Sequence, residues 1–87
     1  MKSILMFEMA SCPYCREARR FMQAVLAEHP EYAAIDVEIV DETRDLTRAM
    51  KYDYYYVPTF YVDGEKVHEG ASTRAAVEAV YRKAFEG

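Results

Sequence analysis

Cys12 and Cys15 are the only cysteines in the chain, and they stand three positions apart in "SCPYCREARRFM", Ser11 to Met22. Such a pair has three possible roles: a staple, part of a metal site, or redox chemistry. As a staple it is poor. A bridge closing a loop of about four residues contributes roughly 2 kcal/mol before strain, against about 3 for a fifteen-residue loop. Small domains that depend on disulfides use several, across long loops. A structural zinc site wants four ligands, usually two close pairs. The only other soft ligands, His29 and His68, are far apart in sequence and form no second short pair. Redox chemistry is the role that the spacing favours, and no metal site is expected.

The surrounding residues sharpen that reading. Pro13 fits the first turn of a helix, where its missing N–H costs nothing. After it, Cys15, Ala18, Phe21, Met22, Val25 and Leu26 recur at helical spacing, while Arg16, Glu17, Arg19, Arg20 and Gln23 fall off that stripe. The amphipathic helix so predicted ends near Glu28, before "HPEY". It treats the two thiols unequally. Cys15 shares the apolar stripe and is expected to be buried. Cys12 lies at the cap, beside water. Unpaired backbone N–H groups at a helix start carry partial positive charge, which favours thiolate there. Arg16, one turn in, is expected to add to the effect. Cys12 is therefore the expected attacker of a substrate disulfide. Cys15 is the expected resolving thiol, which displaces the product and leaves the pair oxidised.

Other elements must hold this loop in place. "SILMF" (Ser3–Phe7) reads as a buried central strand. "AIDVEIV" (Ala34–Val40) alternates, Ile35, Val37 and Ile39 against Asp36 and Glu38, as a strand at a sheet edge does. "DETRDLTRAMKYD" (Asp41–Asp53) suits a short helix capped by Asp41, with Leu46, Ala49 and Met50 inward. "TFYVDGEKVHE" (Thr59–Glu69) reads as a hairpin, because Asp63–Gly64 supplies the two positive-φ positions of a type I′ turn. Ser72 or Thr73 can cap a last helix whose stripe is Val77, Val80, Tyr81, Ala84 and Phe85. The order is β-α-β-α-β-β-α. A right-handed crossover makes the first two strands parallel, and the hairpin is antiparallel. The fold class is α/β, a four-stranded mixed sheet flanked by three helices.

Composition limits the partners. Eighty-seven residues, 52% of them hydrophobic, make a single domain with a modest core. The net charge of −4 argues against nucleic acid or an anionic membrane surface. "ILMF" is too short to span a membrane, and no cleavable signal pattern surrounds it. A monomer in the cytoplasm is expected. The acidic run "DVEIVDETRD" (Asp36–Asp45) reads as a solvated face.

With these residues in hand, the chain resembles a glutaredoxin of the thioredoxin-like superfamily. "CPYC" (Cys12–Cys15) is similar to the family's dithiol site, "VPTFYVDGEKV" (Val57–Val67) to its proline strand and hairpin, and "HEGAST" (His68–Thr73) to its glycine-containing turn. The resemblance spans nearly the whole chain and implies a thioredoxin-like (glutaredoxin) fold. It implies that Pro58 is cis and faces the cysteines, and that Val57 offers its backbone N–H and C=O to a substrate cysteine like one rung of a β-ladder. It places Tyr14, Tyr56, Val57, Pro58, Gly70, Ala71 and Ser72 on the substrate side, with Pro13 and Arg16 in support. Backbone N–H groups of Ala71, Ser72 and Thr73 are positioned to hold a carboxylate at the last helix start.

The implied partners are disulfide-containing proteins, and glutathione as reductant, with no tightly bound cofactor. Three departures bear on glutathione. Met9 stands where the family usually has a lysine for a glutathione carboxylate, with Lys51 or Arg48 as possible substitutes. Glu69–Gly70 stands where it has two glycines, which adds an anion. Ser72 or Thr73 replaces an acidic residue that can meet the glutathione amine. A thioredoxin-like carrier re-reduced by a flavoprotein reductase is the alternative. A third reading is an iron–sulfur carrier, with Cys12 thiolates of two chains holding one cluster. Tyr52, Tyr54, Tyr55 and Tyr56, just before Pro58, are either packing residues or the rim of a protein docking surface.

Overall fold

The computed structural model describes residues 1–87. Its elements are β1 (Ile4–Glu8), α1 (Pro13–Glu28), a 3₁₀ turn (Pro30–Ala34), β2 (Val37–Asp41), α2 (Leu46–Ala49), β3 (Thr59–Val62), β4 (Glu65–Glu69) and α3 (Arg74–Glu86). One sheet carries them in the order β2-β1-β3-β4. β1 pairs parallel to β2 and antiparallel to β3, which pairs antiparallel to β4. The thioredoxin-like α/β architecture read from the sequence is present, with β2 at an edge as expected.

Burial explains the arrangement. Ile4 and Met6 of β1 point to one face, where α1 and α3 close over them with Ala18, Met22, Val25, Val77, Val80 and Tyr81. Phe7 points to the other face, into a smaller cluster with Val40, Ala49 and Tyr61. Period-two alternation along β1 therefore feeds two cores. The β3–β4 turn has Asp63 at φ 51° and Gly64 at φ 83°, the two positive values that its sequence demands.

Three expectations are corrected. The strand expected over 34–40 starts at Val37, because Ala34 closes the 3₁₀ turn that follows Pro30. On β2, Ile39 is 43% exposed and lines an apolar groove of about 430 Å³ with Met22, Leu26, Tyr32 and Val37. The helix expected over 41–53 shrinks to one turn. Asp45 is its cap, accepting from Arg48 N–H at 3.3 Å. Asp41 is not the cap, because its carboxylate takes the N–H of Thr43 at 2.9 Å and of Ala10 at 3.2 Å. Only Ala49 points inward. Leu46 (62%) and Met50 (75%) are exposed.

Candidate active site

Cys12 is the N-cap of α1. Its backbone is extended, with φ −85° and ψ 118°, and its sulfur accepts the N–H of Cys15 at 3.3 Å. Pro13 occupies the first turn, as its fixed φ favours. Arg16 is placed differently from expectation. Its guanidinium bonds the Ala10 carbonyl at 3.5 Å, bracing the loop before Cys12 instead of facing the sulfur.

Cys15 is fully buried, one turn behind. Burial, chiefly, pushes its thiol up to about 12, and the Met9 backbone offsets part of this. The hydrogen bond to Cys12, the charge on Cys12 and the Glu8 carboxylate all add to the rise. Glu8 is itself paired with Arg19. Both cysteines are free thiols in this structure, Cys12 half-buried and Cys15 buried.

Across from Cys12 lies the loop before β3. The Val57–Pro58 peptide is cis, as the resemblance implies, and the Val57 carbonyl stands 3.9 Å from Cys12 Sγ. The main-chain groups of Tyr56 and Pro58 on either side are already committed. Glu69 accepts the N–H groups of Tyr55 and Tyr56, the latter at 2.9 Å. The Thr59 hydroxyl donates to the Tyr56 carbonyl, and Gly70 N–H donates to the Pro58 carbonyl at 2.8 Å. Val57 N–H has no acceptor within the chain. Of Tyr56, Val57 and Pro58, only Val57 keeps a donor free, with an acceptor aimed at the thiol side.

The remaining expected residues fall around this centre. Tyr14 (58%) and Tyr56 (69%) are exposed beside the cysteines. Gly70, at φ 89°, makes the turn from β4 towards α3, and a Cβ there meets Tyr56 Cβ at 3.9 Å. His68 reaches over this turn to the carbonyls of Gly70 and Ala71, at 3.2 and 3.1 Å. Thr73, not Ser72, caps α3, accepting from Ala76 N–H at 3.1 Å. Ser72 is buried and its hydroxyl has no partner. Arg48 is spent on a bidentate pair with Glu38.

The tyrosines divide. Tyr52 and Tyr54 pack on Phe7 with ring centroids 5.0 Å away, so they are core. Tyr55 (86%) and Tyr56 are not. Two residues hold the site in roles other than those read from the sequence. Asp41 holds the Ala10 amide of the cysteine loop, and an Asp-x-Thr pattern at a strand end was its only signal. Glu69 ties down the proline loop, and nothing in its local sequence announces that.

Comparison with known proteins bears on this geometry. A family model described as a thioredoxin domain matches residues 3–82. The chain belongs to the thioredoxin-domain family. A thioredoxin of Methanocaldococcus jannaschii is 33% identical over 81 residues, covering 92% of this chain and 93% of that one. The X-ray structure of Fasciola hepatica thioredoxin is 26% identical, with TM-score 0.67, covering 93% of this chain and 79% of the other. The oxidised thioredoxin of Plasmodium falciparum, 22% identical with TM-score 0.71 over 94% and 79%, shares the fold. None of these three is named a glutaredoxin. No helix of this thioredoxin-family chain is long and apolar enough to cross a membrane.

Proposed function

We propose that the chain is a dithiol–disulfide oxidoreductase acting on protein disulfides. One observation carries this reading: the Val57 N–H is unpaired within the chain, and the Val57 carbonyl accepts only the Cys12 thiol, at 3.9 Å. An extended target segment adds there as a single antiparallel rung, donating to Val57 C=O and accepting from Val57 N–H. That docking sets a target sulfur against Cys12.

The Cys12 thiolate attacks that sulfur. The target S–S bond breaks, a Cys12–target disulfide forms, and one target sulfur leaves as thiolate and takes a proton. Cys15 is poised to act only second. While Cys12 is an anion, its charge and hydrogen bond help keep the Cys15 proton in place. Forming the mixed disulfide removes both. Cys15 then loses its proton to the departing target thiolate and attacks Cys12 Sγ. The products are a Cys12–Cys15 disulfide and a target dithiol, a balanced two-electron exchange.

Two electron sources restore the dithiol in this proposal. The CPYC motif favours glutathione, as in a glutaredoxin. Kinship with thioredoxins favours a flavoprotein reductase, and so does Glu69, whose carboxylate already occupies the Tyr55 and Tyr56 amides. A coupled assay decides between them: insulin disulfide reduction driven by glutathione with its reductase, or by NADPH with a thioredoxin reductase. Turnover with neither, alongside an unreactive Cys12, overturns the proposal.

A further inference from the structure

Glu69 is the last residue of β4, and its partly exposed carboxylate turns back onto the chain. It is bound by three donors: the backbone N–H groups of Tyr55 and Tyr56, and the Lys66 ammonium at 2.8 Å. Lys66 also bonds the Asp53 carbonyl at 3.1 Å, which accepts the Tyr61 hydroxyl at 2.9 Å as well. Together these bonds fasten both ends of the segment Asp53–Tyr56. The Thr59 hydroxyl on the Tyr56 carbonyl and the packing of Tyr54 on Phe7 add to this hold, but only Glu69 engages the Tyr55 and Tyr56 amides. Tyr55 and Tyr56 are among the most exposed large hydrophobic side chains, at 86% and 69%. The next residue is Val57, whose free N–H and thiol-facing carbonyl are the proposed target rung.

We propose that Glu69 is a positioning residue: its carboxylate is the chain's own ligand in a receptor formed by the Tyr55 and Tyr56 amides and Lys66, and this internal binding presents Val57 to the target. Two adjacent amides converging with an ammonium are the donor set that recognises a carboxylate. Here the ligand is covalently attached, so its effective concentration is high and its release is rare. The carboxyl is correspondingly acidic, lowered to about 2, first by Lys66 and then by the two amides. A second consequence follows for small thiols. An anionic thiol such as glutathione finds these donors taken, whereas a protein segment needs only Val57. The catalytic half of this inference rests on the thiol–disulfide reading above. The positioning half stands on hydrogen bonds alone.

The first test uses the wild-type protein. Amide hydrogen exchange followed by NMR should show the Tyr55 and Tyr56 amides slowed roughly tenfold or more against an unstructured peptide, despite their exposed side chains. Amides exchanging at the peptide rate overturn the inference. In Glu69→Ala the protection should vanish, and in Glu69→Gln, which keeps one acceptor oxygen, it should survive in part. Added acetate is the probe for the receptor. It should restore protection to Glu69→Ala in a saturable way and leave wild type unchanged. Equal effects of acetate on both proteins count against the receptor. For a protein disulfide substrate, Glu69→Ala should raise KM about tenfold, the order expected from losing a charge-assisted hydrogen bond, with kcat and Cys12 alkylation little changed. Released amides with an unaltered KM overturn the link to Val57. If wild type has no disulfide activity, the functional reading fails, while the amide measurement still decides whether Glu69 holds the loop.

Discussion

The two faces of the sheet are built to different standards. On one, α1 and α3, helices of sixteen and thirteen residues, seal a cluster of thirteen buried side chains. On the other, a single turn of helix and a few tyrosines cover a cluster of four. The thick face is mostly aliphatic, with its stripes at regular helical spacing. The thin face is aromatic and tied at its edges by polar bonds, such as Tyr54 hydroxyl to Glu42 at 2.8 Å. Tyrosine suits such a place because its ring packs while its hydroxyl reaches a polar partner. The thin face also leaves Leu46, Met50, Tyr55 and Tyr56 uncovered, the last of them next to Val57. The difference teaches a division of labour. One face secures the fold, which permits the other to stay sparse and to keep apolar surface open.

The largest expected effect lies at the seam where the faces meet, at the start of α1. Cys12→Ser should abolish disulfide exchange with stability barely altered, and Cys15→Ser should trap a mixed disulfide visible by mass spectrometry. In the reduced wild type, peptide mapping should find Cys12 alkylated at neutral pH. Cys15, whose thiol is pushed up to about 12, should stay unmodified until the solution is strongly alkaline. Faster reaction at Cys15 reverses the assigned roles.

A direct attempt to break the comparison follows. Ile4 is 1% exposed on the thick face, at the end of β1 away from Cys12. Ile4→Ala should cost about 2–5 kcal/mol in urea unfolding, with KM for a protein disulfide unchanged wherever the protein is folded. Leu46→Ala, on the thin face, should stay within about 0.5 kcal/mol of wild type. Similar losses at both positions erase the distinction.

Smaller still, the double variant Tyr55→Ala, Tyr56→Ala should leave stability nearly intact and raise KM for protein disulfides several-fold, because aromatic anchors at interfaces carry binding energy. An effect on unfolding alone moves these tyrosines into the packing class of Tyr52 and Tyr54. The smallest effect concerns glutathione. Met9→Lys should lower the KM for glutathione by about two- to fivefold, the equivalent of roughly 0.3–1 kcal/mol for one exposed charge pair. The gain should shrink in high salt, since exposed charges are screened. No change at either ionic strength removes Met9 from the account of reductant choice.

How much was legible in the sequence follows the same division. The thick face announces itself through period 3.6 in Cys15–Leu26 and Val77–Ala84, because burial against a sheet imposes that spacing. Asp63–Gly64 announced its turn because few residues tolerate positive φ. The thin face was misread. Leu46 and Met50 fit a helical stripe, but the chain leaves the helix after one turn, and the tyrosines take the covering role instead. Asp41 looked like a helix cap, since an aspartate serves either use, and only tertiary structure brings Ala10 to it. The cysteine pair was legible because its chemistry is local. Glu69 was not, because its partners lie thirteen and fourteen positions earlier in the chain and meet it only when the loop folds back.

Val57 has one further consequence. A rung of backbone hydrogen bonds recognises what all polypeptides have in common, so it sorts targets by shape and not by side-chain identity. It accepts any segment that can lie extended and rejects any that is locked in a helix. It also rejects proline at the paired position, which has no N–H to give. A tool of this kind favours disulfides that have already come loose from their structure, and it passes over intact, well-packed ones.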